Sequence, residues 1–230
     1  MELVPRDCVG SNKHVRNSEI RKIVVTVSAP TELSIEDRTL AAPFMTSPSY
    51  LSKDGRKRRE ILDRKLEGVR ESMSVKLTDE LHIKLKAAGF GTSSTTREMG
   101  SPTLDLSALP AGYAALDVSF TEVGLSSLIW SNGYEPRVNV RACLFDPSDA
   151  SDWLTSDHFF YGADSSGDGP CSIPVPNYPN HRYQDLDALV DSAEEMSDVF
   201  EGAIQAIAER ISRRLVSQCG SGAPVSPNDR

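Results

Sequence analysis

Four cysteines and four histidines are the side chains here most able to do chemistry, and their spacing limits what that chemistry is. Cys8, Cys143, Cys171 and Cys219 stand far apart, with no C-x-x-C pair and no histidine pair beside them. A structural zinc site draws its ligands from short, regular spacings, so none is expected. His14, His82, His158 and His181 contain no i, i+4 pair, which removes a zinc helix of the H-E-x-x-H kind. Asp164–Gly169, "DSSGDG", resembles the start of a calcium loop. Its twelfth position is Val175, where an EF-hand needs a bidentate glutamate. There is no G-x-S-x-G, no phosphate-binding P-loop and no G-x-G-x-x-G. Asp157 and His158 would serve a serine nucleophile only if the fold turned both toward it. The expectation is no catalytic residue, no metal and no cofactor.

Cys8 sits in a polar stretch without periodicity, "RDCVGSN", where no companion residue would explain it. It reads as an attachment point on a tether. "LVPR" at Leu3–Arg6 resembles the core of a protease linker used in expression vectors, without the Gly-Ser that usually follows the Arg; if it is one, residues 1–7 are vector-derived. In an oxidising compartment one disulfide is expected among Cys143, Cys171 and Cys219, and nothing in the spacing selects the pair. Free, partly buried thiols are the other reading.

Charge narrows the partners. The chain has 230 residues and a formal net charge of -8. A protein that neutralises phosphates would carry the opposite sign, so nucleic acid is not expected as a partner. One segment runs against this trend. "KDGRKRRE" (Lys53–Glu60) is basic and opens a helix, where positive charge opposes the helix dipole. Such an end is expected to fray or to contact something acidic. Aromatic residues cluster farther on, and Trp130, Tyr134 and Trp153 are the candidate contacts for a protein partner.

The elements that must position these residues follow from periodicity. Ile20–Ser28 is a strand, with Ile23, Val25 and Val27 on one face. Apolar residues then recur at Leu62, Leu66, Val69, Met73, Leu77, Leu81 and Leu85, the stripe of an amphipathic helix over 56–88. Gly89 is its expected cap, and Thr78–Glu80 a possible break within it. Segments 29–53, 91–112 and 164–180 are rich in Ser, Thr, Gly and Pro and read as loops. Residues 113–123 and 136–145 alternate as strands. In the second, Val138, Val140, Ala142 and Leu144 should face the core, and Arg137, Asn139, Arg141 and Cys143 the water. An ion pair of Asp117 with Arg137 or Arg141 is expected across these strands. A third strand covers 156–163. A last helix covers 185–215, striped by Phe200, Ile204, Ile207, Ile211 and Leu215. The fold class is α/β (α+β), a small mixed and largely antiparallel sheet with two long helices on one face. The organisation is a tether at 1–19, one domain at 20–216 and a disordered tail at 217–230.

The stretch "YEPRVNVRACLFDPSDASDWLTSDHFFYGA" resembles a strand–turn–strand element of bacterial envelope lipoproteins of the curli-secretion lipoprotein and TolB N-terminal-like type. Val138, Val140, Arg141, Ala142, Leu144, Phe145, Asp146, Trp153, Tyr161 and Gly162 carry the likeness, and Gly202–Leu215 resembles their closing helix. The resemblance implies a periplasm-facing α/β domain, hung from the outer membrane by an acylated cysteine, here Cys8. It implies binding or envelope assembly with a protein partner or a second copy, and no catalytic residues. "VPRD" before Cys8 is not the Leu-Ala-Gly type that precedes such cysteines, so the anchor depends on those residues being a vector remnant. The alternative is a cytoplasmic ligand-binding protein or enzyme with a cleft near 156–183.

Overall fold

The computed structural model describes residues 20–36, 53–95, 109–127, 133–145, 153–162, 172–176 and 181–219. The expected tether and the residues from 220 onward lie outside them. β1 (Lys22–Ser28) leads to a short β2 (Ser34–Glu36), then to the 35-residue α1 (Lys53–Ala87). β3 (Gly91–Ser94), β4 (Ala114–Ser127), β5 (Tyr134–Phe145), β6 (Trp153–Tyr161) and β7 (Ser172–Val175) follow. Two helices close the described chain, α2 (Leu186–Asp191) and α3 (Ala193–Cys219).

The seven strands form one sheet in the order β3-β1-β4-β5-β6-β7, with β2 also paired to β4. β4, β5 and β6 are the antiparallel centre, and the first two are the strands with clean alternation. The parallel pairs are β1–β3, β1–β4, β2–β4 and β6–β7. Three strands were not legible in the sequence: β2, β3 and β7. Each lies in a segment read as loop, and each is held by a ladder to a neighbour rather than by its own residues. β3, Gly-Thr-Ser-Ser, has almost no apolar side chain to signal a strand.

Both long helices pack on one face of this sheet. Leu62, Leu66, Met73, Leu77, Leu81 and Leu85 of α1 are buried. So are Met196, Phe200, Ile204, Ile207, Ile211 and Leu215 of α3. They meet Ile23, Val25, Leu116, Val118, Val138, Val140, Leu144 and Phe159 in a single core. Full burial of each such side chain contributes roughly 1.5–3 kcal/mol. The helices run in the same direction. Lys65 Nζ donates to the Val190 carbonyl at 2.8 Å, Lys76 pairs with Glu201 at 2.8 Å, and Lys84 pairs with Glu209 at 3.1 Å. The partners advance together along both helical segments.

Helix ends follow local chemistry. Gly89 has φ +90°, which a residue without Cβ adopts freely. Phe90 N donates to Leu85 O and Gly89 N to Lys86 O, both at 3.0 Å, the paired bonds of a Schellman cap. The Thr78 break does not occur. Its hydroxyl donates to Ser74 O at 2.8 Å, inside a continuous helix. The closing helix, expected as one piece, breaks at Ser192. Asp185 caps α2 by accepting from Asp187 N and Ala188 N. α3 reaches Cys219, so Ser217–Cys219 belong to the helix and not to a tail.

β3 is tied to α1 by one polar link. His82 Nδ1 and Thr92 Oγ1 lie 2.8 Å apart. Burial first, then the Lys86 charge, hold the imidazole below its ordinary value of 6.5. The folded state therefore binds this proton more weakly than the unfolded chain. The resulting stability is present above the unfolded value and is lost as pH falls from there through the folded value. His82→Gln should flatten the dependence of denaturation midpoint on pH in that acid window and leave it unchanged at pH 8. An unaltered slope in the variant would reject the assignment.

Candidate functional site

Strand alternation sends one half of the side chains away from the helices, and on the central strands that half is charged. The helix-free face carries Asp117 and Glu122 from β4, Glu135, Arg137, Asn139 and Arg141 from β5, and His158 and Phe160 from β6. Register sets them in cross-strand rows: Glu122 opposite Asn139, Arg141 opposite Ser119 and His158, Cys143 opposite Asp117 and Ser156.

A bulge organises the row. Pairing shifts between Phe120 and Glu122. That extra residue brings Glu122 onto this face, where its Oε2 accepts from Asn139 Nδ2 at 2.7 Å and pairs with Arg137 Nε at 3.0 Å. Arg137 therefore takes Glu122 and not Asp117, because the bulge puts the glutamate in the diagonal position. The Arg137 and Glu122 side chains are only 10% and 22% exposed. Removing one partner of so enclosed a pair leaves a desolvated charge, which costs far more than the loss of a surface pair. Arg137, Asn139 and Cys143, expected in water, are all buried. Thr26 Oγ1, Ser126 Oγ and Asn139 Oδ1 on the same face are buried without a hydrogen-bond partner. Arg141 and His158 are half-buried, and His158 stacks on Phe160 with ring centroids 6.3 Å apart.

The same alternation separates Asp157 from His158. Asp157 turns to the helices, where Arg214 Nε meets its Oδ2 at 3.0 Å and Gln218 Nε2 lies at 3.4 Å. It is an anchor for α3, so Asp157 and His158 do not turn toward a common serine. Among the described residues, no three His, Cys, Asp or Glu side chains come together as a metal site. A groove of about 460 Å³ does exist, lined by Lys84, Ala88, Glu209, Arg213 and Val216 at the C-terminal ends of α1 and α3. That is distant in sequence from the 156–183 cleft. Glu209 there pairs with both Arg213, at 2.7 Å, and Lys84, and these cations hold its carboxyl below the usual range. Both nearby cations are thus spent on one carboxylate.

The other expected sites fall as follows. Tyr134, a candidate contact, is in the core, and its backbone bridges Tyr183 in both directions at 2.7 and 3.0 Å. Gly133 has φ +148° beside it, and Arg182 forks onto Glu135 Oε1 at 2.8 and 3.0 Å. The ring closes the sheet's end and is not offered to a partner. The backbone of Trp153 opens β6. Trp130, Cys171 and Cys8 lie outside the described residues. The basic start of α1 does find an acid, and it is internal: Arg58 pairs with Asp187 of α2. Asp185, Asp187 and Asp191 crowd that short segment, and this acidic cluster is visible in the residues alone.

The disulfide is not formed. Cys143 and Cys219 are free thiols, and any pair among the three cysteines would use at least one of them. Cys143 donates to Ser156 Oγ at 3.3 Å. Burial pushes its thiol up, and pushes that of Cys219 up to about 11. The thiolate is the reactive form, so both should resist alkylation at pH 8 in the folded protein. After unfolding without reductant, mass spectrometry should find both alkylated. Residual unlabelled Cys143 or Cys219 would restore the disulfide.

No protein-family model matches the chain, and no curated protein matches it. Solved structures similar at a distance include the following two. One is the hypothetical protein CT253 from Chlamydia trachomatis, 13% identical over 86% of this chain and 99% of that one, with a TM-score of 0.44. The other is described as a homolog of a neuraminyllactose-binding hemagglutinin from Helicobacter pylori, 12% identical over 89% of this chain and 88% of that one, with a TM-score of 0.30. Likenesses this distant assign neither a fold nor a function to this chain.

Proposed function

We propose that the protein is a non-catalytic binding module of the bacterial cell envelope. It faces the periplasm, is held at the outer membrane through acylated Cys8, and recognises an envelope protein with the helix-free face of its sheet. The observation that supports this reading most is the pair of half-buried side chains Arg141 and His158, directly opposite each other on a face that no described helix covers and flanked by the enclosed Glu122–Arg137 pair. Charged groups fixed by a sheet are pre-organised, so a partner of complementary charge meets them without a further ordering cost. Asp157 and His158, an acid and a base adjacent in sequence, face opposite sides of the sheet. The anchor rests on the position of Cys8, in a polar run ahead of β1.

Two experiments test the two halves separately. Metabolic labelling with a palmitate analogue, on the protein expressed from its own gene in a bacterial host, should mark the wild type and not Cys8→Ser. Equal labelling of both, or of neither, removes the anchor. A photo-crosslinking amino acid placed at Arg141 should give a discrete adduct with an envelope protein in cells, and the same group at Glu71 on α1 should not. No adduct from position 141, or the same adducts from both positions, removes the recognition face.

A further inference from the structure

The sheet ends in two short strands of opposite character. β7 holds Pro174. A ladder accepts proline where its nitrogen turns away from the neighbouring strand, so the outer edge of β7 lacks a donor there. β3, Gly91–Ser94, carries neither a proline nor a charge. Its inner bonds are defined. Gly91 N donates to Arg21 O at 2.8 Å and Thr95 N to Val25 O at 3.3 Å. Peptide groups alternate sides along a strand, so Gly91, Ser93 and Thr95 turn theirs to β1, and Thr92 and Ser94 turn theirs outward. No described residue bonds those outward groups. The strand is also braced, since His82 holds the Thr92 hydroxyl from the helix side.

We propose that β3 pairs antiparallel with β3 of a second copy, about a two-fold axis at Ser93. Thr92 then stands opposite the partner's Ser94, and Ser93 opposite the partner's Ser93. Every outward N–H meets an outward carbonyl, because an antiparallel two-fold makes one edge complementary to itself. A second copy fits for three reasons. The chain carries a net charge of -8, yet this edge has no charged side chain to oppose its own image. The two-fold uses each β3 once, and the Pro174 edge does not continue the sheet, so the assembly closes as a dimer. Val75, 60% exposed, lies two turns before His82 on the same flank of α1, and supplies an apolar contact beside the pair. This inference does not depend on the envelope reading or on Cys8.

The test is the oligomeric state of the full chain. Light scattering over a concentration series should show the wild type and Ser94→Ala dimerising. Ser94→Pro, which removes an outward N–H and no bond to β1, should remain monomeric with an unchanged circular dichroism spectrum. Opposed residues in a non-hydrogen-bonded antiparallel pair have Cα atoms about 4.5 Å apart, within disulfide range. Ser93→Cys should therefore cross-link to a dimer on mild oxidation, where the wild type does not. Ser93→Cys is unaffected should Ser94→Pro disturb folding. A monomeric wild type, a dimer indifferent to Ser94→Pro in a folded variant, or no cross-link through position 93 would each overturn the proposal.

Discussion

Burial of two leucine- and isoleucine-rich stripes against one side of the sheet is the constraint on which the rest depends. Neither α1 nor α3 is apolar around its circumference, and neither would be stable alone in water. Their stripes meet each other and the sheet at once, through Leu81 and Ile207 as much as through Val138 and Phe159. Because the helices run in the same direction, their exposed charges fall into register. Lys76 meets Glu201 and Lys84 meets Glu209 as a consequence of that seating. Such exposed pairs contribute up to about 1 kcal/mol each, so they tune the seating and do not cause it.

The helix-free face follows from the same decision. Once the helices occupy one side, alternation places Arg137, Asn139 and Arg141 on the other, and the β4 bulge brings Glu122 to them. Glu122 answers two donors at once, which holds the row in a fixed geometry. On the helix side, a charged exception is Asp157. It is matched by Arg214 and Gln218, so its charge joins sheet to helix. Polar groups on the two sides thus have different jobs: one set joins layers, and the other is laid out across strands.

Much of this architecture was legible in the residues themselves. The spacing of Leu62 through Leu85 and of Phe200 through Leu215 marked both long helices, and alternation marked β1, β4 and β5. The short strands were hidden. Nothing in Gly91–Ser94 distinguishes an edge strand from a loop until β1 is beside it. The start of the closing helix at Asp185 was legible, but the break at Ser192 was masked by an apolar period that continues across it. The candidate site was legible in composition, since Arg137, Asn139 and Arg141 were seen to share a face. Their burial was not, because alternation tells which side a residue faces and not what surrounds that side.

What the sequence by itself determined is the local and the periodic: two amphipathic helices, an antiparallel strand core, a glycine stop at Gly89, and no motif for metal or nucleotide. Those features are written in the backbone preferences and side-chain polarity of near neighbours. Only the tertiary structure decided that Arg137 pairs with Glu122 and not Asp117, that Arg58 finds Asp187, and that Tyr134 is closed into the core. It likewise decided that Cys143 and Cys219 are separate thiols. Each of these depends on register or on docking between segments distant in the chain. A one-residue bulge or a helix shifted by a turn changes every such pairing, while local periodicity stays the same.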